Sequence, residues 1–455
     1  LTVVFPGFTP VPRHVLDLLA RTGSDDESLE LLLRGQRARR LLLLRLLLDA
    51  TSAAPPAERS RFRAHWDLLE AAERSGPDAR EAVHRGLQHP LVGPWARQAL
   101  AGLTAGRPAD LGFFGAVVVA AAVRSGLPFR TRLSTERGEL HLPGLGALAC
   151  GPDTDVSAHF DGAVLRLIPA ADRVVTVRPQ PEHGAWSTDP GWRAAHALPA
   201  LIPGGRPVPL DDLGPYRHDA ALGIHAATLD DVGRKRWHDA WSGPLTALLQ
   251  HGHPHQAAET GRLLASLVPV AVPEEAGPLG YCSGTRRDAF GCVYSSLPPG
   301  PLGVAEMLVH ETQHAKLSAL TDLVTLHHAP PDARYFAPWR PDPRPLDGLW
   351  QGVYSHLALA LWWQGYVLNT PDGFERKRGW AEYARCREQV TAALEQLAGS
   401  TDLTPEGRRF ADRMIAAHRR LEEPPRHHRH RAQAYVATAR ELWGHRMRQK
   451  PNEPL

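Results

Sequence analysis

The stretch that most constrains this chain is Pro301 to His328, PLGVAEMLVHETQHAKLSALTDLVTLHH, which carries His310-Glu311-Thr312-Gln313-His314 inside an apolar-periodic run. Pro301 suits a first helical turn. Leu302, Val304, Met307, Leu308, Leu317, Leu320 and Val324 give nearly all-round burial with no Gly or Pro after Gly303. A helix sunk in a core follows. Residues four apart lie one above the other on it, so His310 and His314 can point two imidazole nitrogens at one ion, with Glu311 about 100° round. In hydrolytic zinc enzymes of this motif class the glutamate polarises the metal-bound water. With 24 histidines in 455 residues the motif can arise by accident, and two core histidines bonded to carbonyls is the bland alternative. The helical context argues against it, because two imidazoles and an acid are costly to bury without a function.

A chain of 455 residues is too long for one simple core. The pattern predicts a mainly α protein with a β-rich insert: residues 1–127 as a helical domain, 128–197 as the insert, and 198–455 as a mainly helical metal-binding domain. Helices are expected over Arg59 to Arg74, Arg107 to Ser125 and Asp347 to Val367, and short strands over Thr131–Leu133, Glu139–Leu142, Gly162–Leu167, Arg173–Val177 and Gly291–Leu297. Leu198 to Tyr216 reads as a proline-rich connection, and Arg426 to Arg431 as a solvated corner between helices. Arg39 to Ala50, RRLLLLRLLLDA, is too short to span a bilayer, and reads either as a buried helix or as a membrane or partner surface.

The formal charge of +3 is small for this length, and only four of the 52 basic residues are lysines. No basic run interleaved with aromatics occurs, so no nucleic-acid partner is expected. The four cysteines form no C-x-x-C pair or three-cysteine cluster, which argues against a cysteine zinc module or an iron–sulfur centre. With no signal-peptide pattern and no long apolar run, a cytoplasmic protein without a membrane partner is expected.

Two histidines need a third ligand. His356 is the candidate, as the one ionisable side chain after Asp347 in a helix of Leu, Ala, Trp, Tyr and Val; a core histidine bonded to a carbonyl is the alternative there. Asp322 is the rival ligand, but eight residues past His314 on one helix is a rise of about 12 Å. A zinc peptidase of the commonest kind adds a glutamate on the next helix, and no glutamate occurs between Glu311 and Glu375. Three neutral imidazoles leave the full charge on the ion and open positions beside it, which suits a dianionic bidentate co-substrate with dioxygen, as in non-haem iron(II) oxygenases.

The runs His310-Glu-Thr-Gln-His314-Ala-Lys-Leu, Arg334-Tyr-Phe-Ala-Pro-Trp-Arg-Pro-Asp-Pro-Arg-Pro-Leu and Gly352-Val-Tyr-Ser-His356-Leu resemble the HExxH-motif peptide-modification proteins of ribosomally synthesised peptide pathways. That family is understood as 2-oxoglutarate-dependent peptide β-hydroxylases. The resemblance implies Fe(II) held by His310, His314 and His356, with 2-oxoglutarate and O2 as co-substrates and a precursor peptide as substrate. Arg340 and Arg344, on the loop between the two ligand helices, are the candidates for the co-substrate's distal carboxylate, which a guanidinium matches bidentately. Glu311 is then left to orient a ligand or hold a water. The alternatives are a zinc metallopeptidase with a catalytic Glu311 and a non-catalytic peptide-binding maturation partner.

Overall fold

The computed structural model describes residues 11–135, 138–151, 154–170, 172–219, 223–243, 245–253, 255–272, 280–340, 342–371 and 373–449. Helices dominate: α1 (Arg13–Ala20), α2 (Asp26–Ala50), α3 (Pro56–Arg74), α4 (Pro77–Leu87), α5 (Val92–Thr104), α6 (Gly112–Ser125), α7 (Asp231–Trp241), α8 (Leu245–Leu249), α9 (Gln256–Leu263), α10 (Gly300–Thr321), α11 (Leu346–Asn369), α12 (Phe374–Gly399), α13 (Pro405–His418) and α14 (Arg426–Gln449). The strands are short: β1 (Phe129–Ser134), β2 (Glu139–Leu142), β3 (Gly146–Ala149), β4 (Asp155–Phe160), β5 (Leu165–Ala170), β6 (Arg173–Pro179), β7 (Ala185–Trp186), β8 (Trp192–Ala194), β9 (His196–Leu198), β10 (Val208–Leu210), β11 (Ser266–Pro269), β12 (Ser283–Thr285) and β13 (Cys292–Ser295). This is the mainly α architecture with a β-rich insert that the pattern predicts. No helix among the described residues is long and apolar enough to cross a membrane, and Cys150, Cys282, Cys292 and Cys386 are all free thiols.

The chain divides into two compact units rather than three successive blocks. Of the described residues, one holds Gln36–Trp241 and Leu264–Leu297; the other holds those from 11 to 35, Ser242–Leu263 and those from Pro298 to 449. The first unit contains all the described strands. They form the antiparallel sheet β1-β4-β5-β6-β7, the small sheet β2-β3-β8, and a third sheet β12-β13-β11-β10-β9 in which β10/β11 and β11/β13 are parallel. In β6, Val175 and Val177 are buried while Val174 faces outward, the alternation of a half-buried strand. Helix α6 is buried along its whole length from Phe113 to Val123. It starts at Gly112 rather than Arg107 because Asp110 Oδ1 accepts the amides of Gly112 (2.9 Å) and Phe113 (3.2 Å), an N-terminal cap that overrides the upstream pattern. The expected Leu198–Tyr216 connection contains strand β10, whose Pro209 sits opposite Ala197 of β9.

The second unit is helical and carries the histidines. Helix α11 runs antiparallel to α10, as three contacts establish. Gln351 Nε2 donates to Ser318 Oγ at 3.1 Å, His314 Nδ1 meets Gln351 Oε1 at 2.9 Å, and Trp363 Nε1 donates to Glu306 Oε1 at 3.4 Å. Each helix covers twelve residues between its outer contacts, about 18 Å at 1.5 Å per residue, so the two keep one register throughout. A fully buried ion pair, Lys316 Nζ to Glu259 Oε2 at 2.8 Å, fixes α10 to α9. The same ammonium donates to the carbonyls of Thr22 (2.8 Å) and Gly23 (3.1 Å), which pins the segment between α1 and α2. The Arg426–Arg431 run is the opening of α14, not a corner. Pro424 and Pro425 bar a helix upstream, and the Pro425 carbonyl accepts His428 N and Arg429 N to close the first turn.

Candidate metal centre

Between Gly303 and Leu320 every residue of α10 is buried except four: Glu306, His310, His314 and Ser318. They recur at intervals of four, so they form one partly exposed stripe along an otherwise sealed helix. The motif histidines sit in the middle of it. Glu311 lies off the stripe and is 1% exposed.

Helix α11 brings His356 to the same place. Its ring centroid lies 5.5 Å from that of His310, which in turn lies 4.6 Å from that of His314. His310 Nε2 and His314 Nε2 are 3.0 Å apart. Two nitrogens each about 2.1 Å from one ion and about 90° apart have nearly that separation. The orienting bonds have the pattern of metal ligands as well. His356 Nδ1 meets the Gly352 carbonyl at 2.8 Å, and a carbonyl only accepts, so the proton is on Nδ1 and the Nε2 lone pair is left to ligate. His314 Nδ1 is held in the same manner by Gln351 Oε1. Among the described residues no three His, Cys, Asp or Glu side chains converge as a finished metal cage. The His310–His314 pair alone is at ligand spacing, and the His356 ring stands beside it at a centroid distance of 5.5 Å from His310.

Burial keeps the His310 and His356 rings neutral. Burial pushes His310 well below the ordinary histidine range, and the neighbouring His314 and His356 add to the effect. Burial lowers His356 to about 3; the Gly352 carbonyl opposes this, while the positive charge of Arg385 on α12 reinforces it.

The loop from α10 to α11 folds over His356. Tyr335 and Arg344 exchange backbone bonds of 2.8 and 3.0 Å, which closes the loop at these two residues into a hairpin base. Within it the Trp339 indole stacks on the His356 ring, centroids 4.6 Å apart and planes 21° apart. Gly352 makes room for this: a Cβ there would stand 2.1 Å from Trp339 Cζ2. Arg340 and Arg344 lie on the same hairpin, and both are bonded to Asp342, by 2.9 and 3.2 Å contacts. Burial raises the Asp342 carboxyl, and the bond and charge of Arg340, with the charge of Arg344, outweigh it and bring it below the ordinary value. Asp322, the rival ligand, is the C-cap of α10.

Several residues of this region carry no signal in the motif itself. Glu306 repeats the four-residue spacing one turn before His310, which a helical-wheel reading could have found. Burial, then Glu382, pushes its carboxyl up, while Arg385 and the Trp363 bond oppose them. Arg385 is tied to Glu382 of its own helix by Nε at 2.8 Å. Trp339, Gln351 and Arg385 become visible only once α11, α12 and the hairpin are folded against α10. The other histidine run, His251-Gly-His253, forms a turn, with His253 Nε2 3.9 Å from Glu259 and the His251 ring edge-on to Tyr366.

No protein-family model matches the chain, and no curated protein matches it significantly.

Proposed function

We propose that this protein is an Fe(II)- and 2-oxoglutarate-dependent peptide β-hydroxylase similar to the HExxH-motif peptide-modification proteins, with His310, His314 and His356 as the iron ligands. The observation that carries the reading is the third imidazole: His356, from a separate helix, stands beside the motif pair with its Nδ1 proton committed to the Gly352 carbonyl. An all-histidine set keeps the ion's charge for an anionic chelator, whereas a hydrolytic zinc site of the commonest type takes a carboxylate. Bound iron, with 2-oxoglutarate and dioxygen, supplies the oxidising power to convert a peptide C–H into C–OH, with succinate and carbon dioxide as co-products.

The chain's own residues do the rest. Gln351 and the Gly352 carbonyl fix the tautomer and orientation of two imidazoles. Trp339 covers one face of His356 and keeps water from that side of the centre. Arg340 and Arg344 are the proposed anchors for the distal carboxylate of 2-oxoglutarate, which would replace Asp342 as their partner. Glu311, sealed in the core, is assigned to holding α10 and its histidines in place. The peptide lies along the stripe from Glu306 to Ser318. The reaction is assigned to the cytoplasm, where a newly made precursor peptide is available.

The test is anaerobic titration with iron(II) and then 2-oxoglutarate, followed by mass spectrometry of a co-expressed precursor peptide. The reading expects about one iron per chain, the weak visible charge-transfer band of a chelated keto acid, and a mass gain of one oxygen. Tight zinc without 2-oxoglutarate binding, together with peptide cleavage, overturns it in favour of a metallopeptidase.

A further inference from the structure

The first unit holds a histidine cluster of its own. His89 lies between α4 and α5, His141 in β2, His183 between β6 and β7, and Asp211 and Asp212 directly follow β10. Together they line a cavity of about 10 Å³, room for about one water or one bare ion. Its walls are polar and unmet. His89 Nδ1, His141 Nδ1, Asp211 Oδ2 and Asp212 Oδ1 are buried there without a hydrogen-bond partner among the described residues. Orphaned polar atoms are costly, so four around one small void point to an occupant. His89 Nε2 stands 3.4 Å from Asp211 Oδ2, an ion-pair distance that leaves the other ring nitrogen to face elsewhere. Asp211 and His141 are neighbours as well: a Cβ on Gly214 would stand 3.4 Å from Asp211 Oδ1 and 3.3 Å from His141 Cε1. His183 bonds through its ring to the backbone of His196, which orients it. Asp212 is already matched, by Arg234 at 2.9 Å.

We propose that His89, His141, His183 and Asp211 hold one divalent transition-metal ion of the zinc class, at a site separate from the three-histidine centre and independent of the hydroxylase reading. The donor set selects the ion. Three imidazoles with one carboxylate make a four-ligand tetrahedral set for zinc-like metals, whereas magnesium and calcium take oxygen ligands. Burial, the largest cause at each, holds His141 and His183 at about 4 and lowers His89, so all three rings are in the neutral form that ligates. Among the described residues no three of these groups already stand at ligand spacing, so the ion binds by drawing the imidazoles inward, more weakly than a zinc site folded around its metal. The four ligands come from four segments far apart in the sequence. An ion that joins them binds the folded unit and not the unfolded chain, and therefore staples the β-rich region together.

The experiment is titration of the metal-free full chain with cobalt(II), whose visible d–d bands report a tetrahedral nitrogen–oxygen site, with zinc(II) and magnesium(II) as competitors. It is run on the parent and on His310→Ala/His314→Ala, which lacks the motif pair. In that double variant one saturable cobalt per chain is expected, displaced by zinc and not by magnesium, and zinc is expected to raise the thermal midpoint. Adding Asp211→Asn or His183→Gln is expected to weaken cobalt binding about tenfold or more. Circular dichroism of each metal-free variant checks its fold. His183 is only partly buried, so His183→Gln disturbs the core least and decides the matter should Asp211→Asn unfold. In the parent the expected count is two, falling to one with His183→Gln. No cobalt in the double variant, equal displacement by magnesium, or an affinity unchanged by both substitutions, as scattered surface histidines give, overturns the proposal. The two metal readings separate cleanly. One cobalt in the parent that is lost in His310→Ala/His314→Ala sinks this inference alone, and one cobalt kept there but lost with His183→Gln sinks the three-histidine centre alone.

Discussion

At the scale of single residues, His356 is where the reading is most exposed to test. It is 8% exposed and bonds through Nδ1 to the carbonyl one turn behind it. His356→Ala is expected to abolish stoichiometric iron(II) binding with little change in circular dichroism, whereas Asp322→Asn, at the helix C-cap, keeps the iron. Wild-type iron affinity in His356→Ala removes the three-histidine assignment. Gly352 tests the hairpin. A methyl group there overlaps the indole of Trp339, so Gly352→Ala must expel the ring from His356 at a cost of about 1–3 kcal/mol, the usual range for overpacking. Thermal melting, with Trp339→Ala as the companion that relieves the overlap, measures it. The two motif histidines were legible in the sequence because helical spacing alone aligns them. Trp339 was not, since its role depends on a hairpin that brings residues 335 and 344 together and on a glycine in another element.

At the scale of elements, long apolar helices were the most readable feature. Helices α3, α10 and α11 lie close to where their periodicity places them, and strands β2 and β6 match the alternating runs. What the sequence concealed were elements whose reasons are non-local. Strand β10, with a proline at its centre, exists because β9 and β11 flank it. The start of α14 looks like a charged corner until the two prolines before it are seen to launch a helix. The attachment of α10 to α9 was equally hidden, because Lys316 and Glu259 are 57 residues apart. That ion pair is sealed from solvent, and burial lowers the ammonium's proton affinity, with Glu259 opposing but not cancelling the effect. Lys316→Met leaves a carboxylate buried with no cation and is expected to cost about 3–5 kcal/mol in urea unfolding, with Lys316→Met/Glu259→Gln recovering part of the loss. A single variant as stable as the parent contradicts this account of how α10 is held.

At the scale of the whole molecule, buried neutral histidines set the response to acid. Burial, the largest cause at each, lowers His141 to about 4 and His356 to about 3. In the unfolded chain both take up protons near pH 6.5, and in the fold they do not until well below it. The unfolded state thus binds more protons throughout the interval, and the stability present above pH 6.5 declines as the pH falls toward 4, by at most about 1.4 kcal/mol per group per unit. Urea midpoints of metal-free protein at pH 7, 5.5 and 4.5 should fall in that order; a flat series refutes the assignment of neutral buried rings. The shared register of α10 and α11 has a last consequence, for reading length. The stripe from Glu306 to Ser318 is about 18 Å long, and an extended chain advances about 3.3 Å per residue. On the proposed peptide-modifying reading, a peptide laid along it would be sampled over roughly five consecutive positions, so the residue acted on would be chosen together with its neighbours on both sides, and a free amino acid or dipeptide would meet only a fraction of the surface that does the choosing.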